Sequence, residues 1–227
     1  FIVALDKHSG AEIWRKERDE PTSWSTPLIV EFAGKHQVIV SASHKTRGYD
    51  LQTGDVIWQC SGLGSNVIPT PLYRDGVVYV ASGHRNPAMQ AIQLDKAKGD
   101  ISGSAAVLWS IDQNTPYVAS PLLYGEHLFM TKNRNAILSC YNPSTGEIVY
   151  GPERLEGMGH IYASLVGVDG RIYISDLDGS TLVIENSAPL EVLATNVLDE
   201  GTAASLVVAG DAIYLRGSRH LYCIAAN

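Results

Sequence analysis

With 227 residues, 45% of them hydrophobic and 18% charged, the chain is long enough to bury a core and too apolar to stay disordered. Its net charge of −7 gives no footprint for a nucleic-acid backbone, which needs a clustered basic surface, so no nucleic-acid partner is expected. No run approaches the roughly 18 apolar residues of a membrane span, and Cys60, Cys140 and Cys223 stand too far apart for a CxxC metal or redox site.

The first element starts at Phe1, inside an apolar strand pattern and without an initiating Met, which reads as a segment cut from a longer precursor. Residues 4–14, ALDKHSGAEIW, then give a strand, a turn with Asp6 and Gly10 four apart, and a short strand ending on Trp14. Residues 25–59 open with STPLIV, turn at Gly34 and close on YDLQTGDVIW, which sets Asp50, Gly54 and Trp58 at the same spacing. Residues 69–110 open with PTPLYR, turn at Asp75-Gly76, pass through VVYVAS and return to Asp95 and Gly99; an insertion around DISGSA delays the aromatic to Trp109.

Residues 119–151 begin at Ser120-Pro121-Leu122, turn at Gly125-Glu126 and close on CYNPSTGEIVY, with Asn142, Gly146 and Tyr150 in the marked positions. Residues 163–194 keep Ser164-Leu165, the turn Asp169-Gly170 and the runs RIYIS and STLVIE, but carry Pro189 for the glycine and Leu193 for the aromatic. Residues 203–227 supply three strands, SLVVAG, AIYLR and HLYCIA.

Self-similarity at about 45 residues, with four short strands per unit and no helical periodicity, predicts an all-β chain: a β-propeller of four-stranded antiparallel blades. The glycine permits the positive φ of a tight turn, and the acid or amide before it can accept backbone amides there. The aromatic is expected to reach the adjoining blade. Small residues in one register, Ala4, Gly48, Cys140 and Cys223, are expected to receive the ring, which makes two of the cysteines packing residues. The whole chain is read as one domain, with segments 1–15 and 203–227 as partial blades.

ALDKHSGAEIW, YDLQTGDVIW and CYNPSTGEIVY, with the openings STPLIV and PTPLYR, resemble the pyrroloquinoline quinone (PQQ) repeat family, whose docking motif has the form A-x-D-x-x-x-G-x-x-x-W. The tally of strands gives about five blades closed by strands from both ends, while the resemblance implies instead a truncated part of a ring of about seven or eight. It also implies a periplasmic or extracellular location. The family holds quinoprotein dehydrogenases, the outer-membrane assembly lipoprotein propeller and extracellular modules of bacterial kinases, and fold alone does not choose among them.

A quinoprotein dehydrogenase would carry PQQ, a calcium ion, a general-base aspartate and often a vicinal cysteine pair. No adjacent cysteines occur, no residue matches that aspartate, and no catalytic residue, cofactor or metal ligand is assigned; PQQ with calcium remains the alternative reading. DLDG at 176–179 lacks the later ligands of a calcium loop and reads as a hairpin turn. GLGSN at 62–66 lacks the third glycine and following helix of a nucleotide cradle.

The loops joining second and third strands read HKTRG, HRNPAMQ, KNRNA, DLDG and RGSRH, so one face of the disc gathers Lys and Arg within an acidic chain. The expected function is non-catalytic: a scaffold that binds a protein or other macromolecule bearing acidic groups. Its candidate residues are Arg47, His84, Arg85, Arg134 and Arg216, with Trp24 and Tyr162 as stacking surface and His160 beside them. The opposing account sets interblade acids, among them Asp19, Glu20, Asp199 and Glu200, against those cations. Two alternatives stay open, an oxidoreductase or PQQ carrier and a sensor module of a larger signalling protein. Open blade edges would favour dimerisation.

Overall fold

Short runs of β-branched and aromatic residues, bounded by Gly and Asp turns, form the strands of this computed structural model, which describes residues 1–225, the side chain of Asn133 apart. Positions 226 and 227, the last of the segment read as 203–227, lie outside the described residues. Contacts divide the chain into two compact units, Phe1–Gln113 and a second that begins at Asn114. Among the described residues the helical elements are single 3₁₀ turns, Leu94–Lys96 and Asn133–Asn135, and no helix is long and apolar enough to cross a membrane.

In the first unit, β1 (Ile2–Leu5) pairs antiparallel with β2 (Glu12–Lys16). An antiparallel meander follows, of β3 (Leu28–Phe32), β4 (Lys35–Ser41), β5 (Lys45–Asp50) and β6 (Val56–Ser61). The next sheet takes β7 (Leu72–Arg74), β8 (Val77–Ser82) and β9 (Ala88–Gln93). Then β10 (Gly99–Asp100) leaves to pair in parallel with β6, setting Gly99 opposite Trp58, before β11 (Val107–Ile111) returns as the fourth strand. The insertion that delays Trp109 is therefore a clamp on the preceding blade: Gln59 donates to Asp100 (3.0 Å), and the Ser61 amide to Ser102 (2.9 Å).

The second unit holds two complete antiparallel sheets: β12 (Leu122–Tyr124), β13 (His127–Lys132), β14 (Ile137–Tyr141) and β15 (Ile148–Arg154), then β16 (Val166–Val168), β17 (Arg171–Ser175), β18 (Ser180–Glu185) and β19 (Val192–Val197). A three-stranded sheet follows, of β20 (Val207–Ala209), β21 (Ala212–Arg216) and β22 (Leu221–Ala225). These repeated four-stranded sheets are blades of a β-propeller.

The turns between third and fourth strands share one chemistry. Asp6 Oδ1 accepts the amides of His8 and Ser9, Asp50 Oδ1 those of Gln52 and Thr53, and Asn142 Oδ1 those of Ser144 and Thr145, all at 2.8–3.2 Å. Gly10, Gly54 and Gly146 follow at φ of 72° to 74°, where a side chain is strained. Asp95 differs. It sits in the 3₁₀ turn Leu94–Lys96 ahead of Gly99, at φ 69°.

Each tryptophan of the motif stands opposite a small residue of its own sheet. Ala4 pairs opposite Trp14, Gly48 opposite Trp58 and Ala91 opposite Trp109, and Cys140 holds the same place opposite Tyr150. The Trp14 ring lies against Gly54 of the following blade, and its Nε1 donates to the Leu51 carbonyl at 2.9 Å. Small residues thus flank the ring from within its sheet, because the third strand runs beside the fourth, and at Trp14 the adjoining blade contributes the turn. Trp58 is fully buried, and its Nε1 donates to Gln37 Oε1 at 3.0 Å. Cys140 is buried, with its thiol pushed up to about 12 by burial. Cys223, expected to be its packing equivalent, is exposed, because no strand pairs with the outer edge of β22 among the described residues.

Candidate binding site

Within the second unit, the 3₁₀ turn after β13 carries Arg134 and Asn135 outward and ends at Ala136, buried and left-handed at φ 45°. Buried Ile161 anchors the segment before β16, so its neighbours His160 and Tyr162 face solvent, Tyr162 at 41% exposure. Between these two segments lies a cavity of about 430 Å³ lined by Tyr117, Arg134, Asn135, His160 and Tyr162. A second of about 550 Å³ continues past Arg134 to Asn114, Pro152 and Arg154.

The walls are fastened by groups behind the cavity. Arg154 donates to the carbonyls of Asn135 and, at 2.9 Å, Met158, tying the two segments together. Asp176, 1% exposed, accepts the amides of Gly159 (2.7 Å), Asp178 (3.0 Å) and Ser180 (2.8 Å), while the Leu177 amide donates to the His160 carbonyl. DLDG is thus a hairpin turn whose first carboxylate is occupied by backbone amides. Among the described residues no group of three His, Cys, Asp or Glu is placed to hold a metal ion.

Other candidates sit differently. Arg47, expected in a loop, lies within β5 with 11% of its side chain exposed, bonded to Asp19 Oδ1 (2.6 Å) and Glu20 Oε1 (2.5 Å). Residues 45–48 alternate as strand does, and the acidic segment before β3 folds over them; Arg47 and Lys45 hold the Asp19 carboxyl down at about 2. The Arg47 charge is therefore compensated. Arg216 ends β21 and turns its guanidinium onto the carbonyls of its own loop, Gly217 and His220. His84 bridges to Ser65, and Arg85 is exposed with φ 45°. The amides of GLGSN serve as struts: Gly64 donates to Ser82 Oγ and Asn66 to Ser43 Oγ. Trp24 is 57% exposed, its amide bonded to the Val67 carbonyl. Trp24→Ala is expected to cost under about 1 kcal/mol in urea denaturation, as exposed positions do.

Glu200 organises the RGSRH loop. Its buried carboxylate accepts from Tyr222 Oη (2.6 Å), the Arg219 amide (2.6 Å) and Ser218 Oγ (3.0 Å), and contacts His220 Nδ1 (2.9 Å). These bonds, Tyr222 first, hold the carboxyl well below the ordinary range against the opposing effect of burial. A depressed folded value gives stability that is present above the unfolded value of about 4.3 and lost as pH falls from there toward the folded value. Glu200→Gln should therefore lower the urea midpoint at pH 7, with the gap to wild type closing below about pH 4. An equal gap at pH 3 and pH 7 would contradict this role.

A family profile described as outer membrane protein assembly factor BamB matches residues 1–227. A relative of that name from Francisella salina is 35% identical over 82 residues, 35% of this chain and 14% of the relative. BamB from Moraxella catarrhalis superposes with a TM-score of 0.70 at 14% identity, covering 96% of this chain and 64% of that one. Saccharomyces cerevisiae Sqt1 gives 0.71 at 11% identity, over 99% of this chain and 66% of its own. The chain thus spans under two thirds of the Moraxella propeller, and at these identities the structural likenesses establish the fold alone. With the repeat, the turn chemistry and the docked aromatics in place over the same residues, the chain belongs to the PQQ-like repeat family, in the branch described as outer membrane protein assembly factor BamB.

Proposed function

We propose that the chain is a non-catalytic binding propeller that mediates protein or other macromolecular interactions, and that in its second unit contact centres on the cavity holding Arg134 and Tyr162. The observation that carries this reading is the makeup of that cavity: a guanidinium, an amide, an imidazole and two phenols on walls fixed from behind. Such a lining offers donors and ring faces to a partner. Relatives named as outer-membrane assembly factors support a protein partner and a periplasmic location. Arg47 leaves the proposed contact set, since its charge is paired with Asp19 and Glu20, and Arg216 lies outside it, with its guanidinium turned onto the carbonyls of its own loop.

A photo-crosslinking residue placed at Tyr162 is expected to capture a polypeptide in cells, while the same residue at exposed Gln52 captures none. Adding Arg134→Ala should cut the yield about tenfold, the scale of one charge-assisted contact. No adduct at 162, or equal adducts at both positions, would retire this reading.

A further inference from the structure

We propose that the group docking at Arg134 is a carboxylate of an acidic polypeptide segment, which takes a place that this chain fills with its own acids in two other blades. The inference rests on the binding surface proposed above and adds the chemistry of what it receives.

The pattern is internal to the repeat. Asp19 and Glu20 stand seven and six residues before Thr26, in the segment that leads into β3, and Asp199 and Glu200 stand six and five before Ser205, in the segment that leads into β20. In both places an acid meets a cation of the blade that follows. Arg47 bonds Asp19 at 2.6 Å and Glu20 at 2.5 Å, and Arg219 bonds Glu200 at 3.4 Å. The Glu20 and Glu200 side chains keep only 3% and 2% of their exposure. Burial of a carboxylate is tolerated where cations and donors receive it, so this part of the blade is built to hold an anion.

Ahead of β12 the sequence changes and the cations stay. The positions seven and six before Ser120 are Gln113 and Asn114, amides where the first complete blade has acids. Asn114, half-buried, lines the larger cavity with Arg134 and Arg154. Among the described residues neither guanidinium meets a carboxylate, and the bonds of Arg154 go to the carbonyls of Asn135 and Met158. Two guanidiniums lining one cavity repel each other. A carboxylate accepting forked bonds from these planar donors removes the repulsion. The two cavities, about 430 and 550 Å³, share Arg134 and Asn135, which gives room for an extended segment and not only for its charged group. With the carboxylate at Arg134, flanking residues lie against Tyr117 and Tyr162 on one side and Ile137 and Pro152 on the other.

Fluorescence anisotropy with a labelled peptide tests this. The probe is ERDEPTSW, residues 17–24, the stretch with which the chain covers its own Arg47, compared with its amide counterpart QRNQPTSW. The acidic peptide is expected to bind at least tenfold more tightly, the scale of one charge-assisted contact, and Arg134→Ala should erase the preference. Asn114→Asp returns an acid to the position while keeping a residue that tolerates its left-handed backbone, φ 54°. It should weaken the acidic peptide about tenfold, whereas the uncharged Asn114→Gly should not. Equal affinity for the two peptides, no binding of either, or equal weakening by Asp and Gly at 114 overturns the proposal. Displacement by free glutamate at the concentration of the peptide would mean a small-anion site and overturns the polypeptide assignment. An adduct at position 162 in cells whose yield Asn114→Asp leaves unchanged overturns the carboxylate alone, while absence of any adduct there removes the binding surface itself.

Discussion

Replacing Trp58 by Ala is expected to destabilise the protein by about 3–5 kcal/mol, the cost of truncating a large aromatic in a close-packed core. The ring is fully buried in the cluster that holds Ile39, Val78, Val80 and Ile92, and lies beside Gly48, where a Cβ would collide with it. Collapse around the cavity is limited, because the parallel bridge from Gly99 holds β6 from its other side. Removal also strands Gln37, 7% exposed, whose Oε1 accepts the indole N–H, so a desolvated acceptor adds to the packing loss. Urea denaturation of Trp58→Ala beside Trp24→Ala measures the contrast. Equal losses at the two positions would contradict the register from which every blade assignment follows.

Blade order and turns were legible in the sequence because their determinants are local. An aspartate whose carboxylate caps amides two and three residues on, followed by a glycine at positive φ, needs no distant partner to declare itself. The same holds for Trp58 and Gly48, since a tight turn fixes which third-strand residue stands opposite the ring. Charge pairing was legible in kind, as interblade acids set against loop cations, and at Asp19 and Glu20 it holds, but which cation each acid meets was not. Arg47 looked like a free donor because Asp19 lies 28 residues away in the chain, with Glu20 beside it, and only the fold over β5 brings the two acids onto the guanidinium. The insertion DISGSA was visible as a delay, but its parallel pairing with β6 has no local signature. The cavity drew Arg134, His160 and Tyr162 from the sequence candidates. Tyr117 and Asn135 were missed, since an aromatic ahead of a first strand and an amide in a turn are ordinary in isolation.

Gly54→Ala and Gly10→Ala separate backbone strain from packing within one motif. Both glycines sit at nearly the same φ, 73° and 74°, so each substitution incurs about 1–2 kcal/mol of left-handed strain. At Gly10 a Cβ would meet nothing within 4 Å, and the loss should end there. At Gly54 it would run into the six-membered ring of Trp14 and approach Lys16 Cε at 3.0 Å. The indole has little room to yield, because its Nε1 is held by the Leu51 carbonyl at 2.9 Å. Overpacking of this kind adds about 1–3 kcal/mol, which puts Gly54→Ala at about 2–5 kcal/mol in urea denaturation. The difference between the two variants is the energy with which one blade's aromatic grips the next blade's turn. It should vanish when both are made on a Trp14→Ala background, and its persistence there would show that the turn, and not the junction, sets the requirement for glycine.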